Sequence, residues 1–478
     1  VSTGSGVPSG AGAVEAGGLQ GGQLGTADVT ASTVANIGPG IDFYFGFGVI
    51  AVTAGVGAPL TILAAATAVL LLALGVAEFT RAEPSAGSFI EFVESGLGPV
   101  AGIATAVLVA VGYTVAMAGV FTMSGGFVAL TVERYGHVSV PWGPLTVVIT
   151  LAALALMTRG IRLSTSAVAG AVVLQVVIMV VACVVILVDH RAHLSGAPFA
   201  WSHVTGGLSG LSAGFPLALY MFIGWENGPA LAEECRDPRR TVPRALMVSI
   251  AIATFLFLLF AYATVTGFAY DVSSIGRSSI PFLTVADEAL GPFAVVAWVA
   301  GIVSVLATLV SGTNSQSRMV FDGGRTGKLP RWLGHLDPVT RTPVRALIAF
   351  VGVGLGVIAV WAAVHAAGVG TGSMDPVGLY AECSTVGTTI ILFVYLLAMV
   401  ALPAYAWRCH RDRFSVVRHV ALPLLGAAAL VVPFVSLCTP GQPSPYDTFP
   451  FVALAAVVGA FAAGGVVTGW RRHSAATS

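Results

Sequence analysis

The chain predicts an all-α membrane protein of about 12 transmembrane helices. Ten form a five-plus-five inverted repeat with discontinuous helices 1 and 6, and two more follow at the C-terminal end. Three observations carry this. Apolar runs of roughly 20 residues, enough to cross a ~30 Å hydrocarbon core, recur along the 478 residues. Arginine and lysine fall almost entirely in alternate loops. Two runs are interrupted near their middle, at Gly38-Pro39-Gly40-Ile41-Asp42 and at Phe222-Ile223-Gly224-Trp225-Glu226-Asn227-Gly228-Pro229.

The composition is 56% hydrophobic and 9% charged. Soluble domains carry about 25% charged residues, so a water-soluble globule is excluded. The spans read as 28–50, 58–80, 98–130, 142–158, 163–188, 208–234, 242–268, 292–320, 344–366, 376–402, 415–438 and 449–470. Threading them from residues 1–27 leaves only Arg134, Arg191 and Arg277, of 22 Lys and Arg, on the far side. Basic residues near helix ends stay cytoplasmic, which predicts a multi-pass protein of the cell (inner) membrane with both termini cytoplasmic. One span more or fewer would scramble that asymmetry. Lys+Arg and Asp+Glu balance at 22 each, giving no sign of a nucleic-acid partner. The five cysteines lack CxxC spacing, so neither a disulfide framework nor a metal site is expected, and no cofactor is implied. Residues 1–25 lack the basic start and apolar core of a signal peptide, and 1–27 reads as a flexible cytoplasmic tail.

Each break frees backbone groups that lipid cannot satisfy, so it must be buried in protein or line a polar cavity. Counting five helices from each break gives 28–188 and 208–402 as repeats of opposite orientation, with 403–478 holding helices 11 and 12 and a tail. Paired breaks in two inverted halves point to a transporter's substrate site near the midplane. Outside the spans, Pro84–Ser95 reads as a short amphipathic helix, Ser279–Leu290 as an outer helix, and 323–343 as a basic loop.

The stretch from Phe222 through Ala230-Leu-Ala-Glu-Glu-Cys-Arg-Asp-Pro-Arg-Arg-Thr-Val-Pro-Arg244 resembles the helix-6 signature of amino-acid permeases of the amino acid–polyamine–organocation superfamily. Gly38-Pro39-Gly40-Ile41 is similar to that family's helix-1 unwinding. Asn314-Ser-Gln-Ser-Arg318 through Gly327-Lys-Leu-Pro330 and Thr342-Pro343 is similar to its inner end of helix 8. The resemblance covers about residues 24–470 and implies alternating access, an amino-acid or amine substrate, and proton symport or exchange. One position departs. Where some proton-coupled members carry a helix-5 lysine, this chain has Gln175, which cannot titrate.

The substrate-site candidates are Gly38, Pro39, Gly40, Ile41, Asp42, Tyr220, Phe222, Ile223, Gly224 and Glu226. A half-helix N-terminus at Gly38–Gly40 offers the amides of Gly40, Ile41 and Asp42 to a carboxylate, Pro39 having none; an ordinary kink is the alternative. An acid at membrane depth costs at least ~2.5 kcal/mol on insertion scales. Asp42 is therefore a candidate to pair with an amine, hold a proton or cap the helix. Glu226 fills the family's acidic position and is read as a proton site or as ordering the break. Glu382, ~9 Å into helix 10 at 1.5 Å per residue, is the third coupling candidate, with a solvated interfacial role as its alternative. By resemblance, Tyr220 and Phe222 are candidates for an aromatic gate, against plain packing. Glu233 and Glu234 are expected to pair with Arg236, Arg239 and Arg240.

These readings converge on a permease for an amino acid or related amine, in contact with the lipid bilayer and with protons as the candidate coupling ion. Three intramembrane acids leave a polyamine or cationic amino-acid exchanger open, and a non-transporting membrane sensor shares the same fold. An enzyme is not expected: there is no HExxH and no His–acid cluster in the spans.

Overall fold

A computed structural model describes residues 19, 21–367, 374–409, 411–438 and 447–477. Of the expected tail, residues 1–18 and 20 lie outside the described residues. Among those described there are 17 α-helices: α1 (Thr26–Ile37), α2 (Pro39–Ala54), α3 (Ala58–Ala82), α4 (Phe89–Leu97), α5 (Pro99–Gly136), α6 (Trp142–Met157), α7 (Ile161–Asp189), α8 (Leu208–Tyr220), α9 (Asn227–Ala230), α10 (Pro238–Gly267), α11 (Val272–Arg277), α12 (Pro281–Leu290), α13 (Val295–Arg325), α14 (Val344–Ala366), α15 (Pro376–Cys409), α16 (Leu422–Leu437) and α17 (Phe449–Thr477). The described residues hold no β-strand, only an isolated bridge between Leu24 and Cys235. Proline at the first or second position opens α2, α3, α5, α10 and α12, where its missing N–H costs nothing and its fixed φ suits the first turn.

Among the described residues, eight helical stretches are long and apolar enough to cross a membrane, and three shorter apolar helices accompany them. One of the eight, Thr26–Ala82, runs 57 residues through α1, α2 and α3. At 1.5 Å per residue that is far more than one ~30 Å crossing needs.

Polarity is inverted relative to a soluble protein. On α7, Val173, Val177, Val181, Val184 and Val188 form an exposed apolar stripe. On α13, Ser304, Thr308, Ser311, Thr313, Asn314, Ser315, Gln316, Ser317 and Arg318 are all buried. Apolar side chains outward and polar groups inward is the arrangement that lipid as solvent requires. Helices α5 and α15 approach closely through small residues. A methyl on Gly387 would lie 2.5 Å from the Ala116 amide nitrogen and 2.6 Å from the Gly112 oxygen, so this position accepts only glycine. That contact sets Tyr113 of α5 and Tyr380 and Tyr395 of α15 in the bundle interior.

The amphipathic helix expected at Pro84–Ser95 forms as α4, starting at Phe89, and tucks Phe89, Ile90, Phe92 and Val93 under the bundle. The expected outer helix forms as α12, burying Phe282, Val285 and neighbours. Two expectations are corrected. Residues 23–24 are not free tail: the Gln23 and Leu24 amides donate to the Glu234 carbonyl, and the Arg236 amide donates to Leu24. Glu233 and Glu234 do not pair with Arg236, Arg239 or Arg240, because the 3-10 turn Ala232–Glu234 aims them back at α13. Glu234 instead meets Arg318 (Nε–Oε2 2.5 Å, Nη2–Oε1 3.1 Å), and Glu233 meets Arg325 at 2.5 Å. Beside them Lys328 bridges Glu91 and Glu94. Burial alone would lower the Lys328 pKa, but the hydrogen bonds it donates to both carboxylates raise it, keeping the ammonium charged.

Candidate functional site

Both predicted breaks are real, and they touch. Gly38 takes φ +65°, ending α1 and starting α2. Between α8 and α9 the chain turns through residues 221–226, with Gly224 at φ +104°. The Gly224 backbone lies against the last turn of α1: an added methyl would be 2.6 Å from the Asn36 carbonyl carbon and 2.9 Å from the Ile37 nitrogen. Asn36 Nδ2 donates to the Gly224 oxygen (3.3 Å), and Asn227 Nδ2 donates to Ser32 Oγ (3.0 Å). A side chain of the first segment thus satisfies a backbone carbonyl of the second, 188 residues away.

The donors at the start of α2 are occupied in this conformation. The Gly40 and Ile41 amides both donate to Ser304 Oγ at 3.1 Å, and the Asp42 amide donates to the Gly38 carbonyl at 3.0 Å. Thr308 Oγ1 satisfies the Ala35 carbonyl at 2.8 Å. Helix α13 therefore supplies the hydroxyls that hold the first break open.

Asp42 is 5% exposed and accepts from the Tyr380 hydroxyl (2.6 Å), which in turn accepts from Tyr220 (2.8 Å). No cationic side chain pairs with it among the described residues. Glu226, 1% exposed, accepts from Tyr113 (2.6 Å) through one oxygen and from the Gly224 amide (3.0 Å) through the other. It ties down the very residue that makes the second break. Both acids are thus held by neutral donors only.

A family model described as "Amino acid permease" matches residues 24–461. The chain belongs to the amino acid permease family. The permease is 28% identical to the branched-chain amino acid permease BcaP of Bacillus subtilis over 349 residues, which is 67% of this chain and 71% of that one. It is 31% identical to the Asc-type amino acid transporter 1 of Mus musculus over 31% of this chain and 28% of that one. It is 27% identical to the chloroplastic cationic amino acid transporter 7 of Arabidopsis thaliana over 32% and 26%, respectively. With this family and its apolar helices, the permease is a multi-pass membrane protein of an amino-acid transporter family.

The remaining predicted residues divide. Pro39 and Ile41 are buried at the first break, and Ile223 is half-buried at the second. Tyr220 joins the Asp42 chain, but Phe222 does not. It packs edge-on to Phe257 (5.1 Å) in an aromatic cluster with Phe43, Phe260 and Phe282. Glu382 is not brought to the breaks. Two residues from Tyr380, it lies about 200° around α15 and accepts from Trp361 Nε1 of α14 at 2.8 Å. Gln175 is fully buried one turn from Met179, the neighbour of Gly40, and its amide makes no hydrogen bond in this conformation. The pentapeptide Gly210-Leu-Ser-Ala-Gly214 spells G-x-S-x-G. It lies inside α8, with Ser212 Oγ donating to the Ser209 carbonyl, so no strand-to-helix nucleophile elbow exists there.

Sequence reasoning missed Tyr380, Tyr113, Ser304, Thr308, Asn36 and Asn227. Asn36 and the polar run on α13 carry a usable signal, being hydrogen-bonding groups in otherwise apolar spans. The tyrosines do not, since a tyrosine in a membrane helix is ordinarily packing.

The geometry separates two jobs for Glu226. Glutamine there retains an acceptor for the Gly224 amide and turns its NH2 to the Tyr113 oxygen, so Glu226→Gln is expected to melt close to the parent. Alanine orphans both donors, at about 1–3 kcal/mol each, and Glu226→Ala is expected to melt markedly lower. Thermal unfolding of the purified proteins checks this; equal melting of both would remove the capping role.

Proposed function

We propose that the protein is a secondary active transporter moving an amino acid or related amine across the cytoplasmic membrane by alternating access, with the substrate held where the two broken helices meet. The observation that carries this reading is the mutual contact of the Gly38 and Gly224 breaks beside the uncompensated Asp42 carboxylate. An arriving carboxylate would displace Ser304 Oγ from the Gly40 and Ile41 amides, which already point at an oxygen. Asp42 would receive the ammonium, with Tyr380 and Tyr220 following it. In this reading the chain crosses about 12 times, with 28–188 and 208–402 as inverted repeats and both termini cytoplasmic. The pairs Arg318–Glu234 and Arg325–Glu233 then lock the cytoplasmic side.

Asp42→Asn is expected to raise the half-saturating substrate concentration at least about thirtyfold, the low end of ~2–5 kcal/mol for truncating a buried charge pair. An unchanged value, with only the pH dependence altered, would make Asp42 a proton site instead. Two buried acids at the breaks, Asp42 and Glu226, also suit a doubly cationic substrate, which keeps the polyamine or cationic amino-acid exchanger as the second reading.

Counterflow in proteoliposomes with labelled amino acids and polyamines tests the whole proposal. Counterflow reports uniport, symport and exchange alike. Accumulation of a neutral amino acid supports the first reading, and accumulation of arginine or putrescine alone supports the second. Binding without accumulation by the folded protein would leave a non-transporting sensor.

A further inference from the structure

Away from the breaks, a pocket of about 420 Å³ opens between the end of α3 and the first turns of α10. Its walls are Arg81, Arg239, Arg240 and Arg244, with Pro243, Met247 and Val248 as the apolar side. The acids paired with these arginines are Glu78, bonded to Arg81 at 2.7 Å, and Asp237, 3.7 Å from Arg240 Nε. Arg239 and Arg244 have no ion-pair partner among the described residues. Four guanidiniums against two carboxylates leave two positive charges facing one cavity. Arginines in the first turn also oppose the helix dipole of α10, so local helix stability does not account for them. Arginine rather than lysine suits a phosphate, whose oxygens match the planar fork.

The surroundings distinguish a lipid from a free anion. Up α10, exposed Val248 and Phe255 follow Arg244 at four and eleven residues, all on one face. On α3, exposed Leu70 and Leu63 stand eleven and eighteen residues from Arg81, again on one face. Two apolar tracks therefore lead from the basic pocket along the outside of adjacent, packed helices. We propose that this pocket holds the phosphate of an anionic lipid headgroup, with the acyl chains lying on these two tracks. The two uncompensated charges favour a lipid with two phosphates.

Native mass spectrometry of the full chain, with cardiolipin, phosphatidylglycerol and phosphatidylcholine added in turn, tests this. The expected result is retention of cardiolipin about thirtyfold over phosphatidylcholine, what two arginines near a lipid surface supply. Arg239→Gln/Arg244→Gln should lose the preference, and Arg239→Gln alone should weaken it. Arg345→Gln, which removes an exposed charge at the start of α14, should retain it. Lipid-free melting of each variant establishes that it is folded. Equal loss in Arg345→Gln would overturn the site in favour of general surface charge. Stabilisation by millimolar glycerol 3-phosphate equal to that by cardiolipin would make it a soluble-phosphate site and overturn the lipid.

Discussion

Gly224→Ala is expected to abolish uptake and cut the folded yield sharply. At φ +104° an L-residue is strained, which costs on the order of 1–3 kcal/mol. The larger effect is steric. The new methyl would sit 2.6 Å from both the carbonyl carbon and oxygen of Asn36 and 2.9 Å from the Ile37 nitrogen. All three are backbone atoms of α1, with no rotamer to yield, so the two breaks must separate. Separation also strands the Asn36–Gly224 hydrogen bond in a dry interior. Gly98→Ala supplies the control: its φ is +90°, yet no atom lies within 4 Å of the added methyl. That variant carries the conformational cost alone and is expected to transport. Membrane-fraction yield and uptake of both variants check the argument, and parental behaviour of Gly224→Ala would end it.

The second large effect belongs to Arg318 and Glu234. Their side chains are 0% and 1% exposed and meet through two hydrogen bonds, while Arg318 Nη1 also donates to the Asn314 carbonyl at 2.5 Å. Removing one partner leaves the other charge buried and uncompensated, so Glu234→Gln or Arg318→Gln is expected to cost ~3–5 kcal/mol. Replacing both by apolar residues of similar volume, Arg318→Met with Glu234→Leu, is expected to recover most of that stability. It should not recover function if the pair is the lock proposed above. Cys235, next to Glu234 and buried, provides the readout. In a background with the exposed Cys409 and Cys438 replaced by serine, maleimide labelling of Cys235 should rise in the double variant. Unchanged labelling with parental uptake would reduce the pair to a structural contact.

Much of this molecule is legible from its residues because lipid is an unforgiving solvent. A backbone break at membrane depth must be accommodated, so Gly38 and Gly224 announce themselves without any coordinates. An acid at that depth must have a reason, which singles out Asp42 and Glu226. The inference fails where a residue's meaning depends on its direction. Glu382 and Tyr380 are two residues apart on one helix, and the sequence treats the acid as the better candidate. Helical rotation sends the acid to Trp361 and the tyrosine to Asp42. Glu233 and Glu234 look like neighbours of Arg236–Arg240 in the chain, but one 3-10 turn delivers them to Arg325 and Arg318.

The sequence by itself determined the solvent, the two breaks and the acids beside them, because hydropathy, glycine and proline act through local free energies that need no partner. The tertiary structure alone decided that the breaks touch, that Ser304 caps one and Glu226 the other, and which tyrosine reaches which acid. Apart from the local Glu226–Gly224 bond, those are contacts across 113 to 338 residues of chain, set by how close α5, α13 and α15 can pack. Side-chain spacing along one helix cannot specify them.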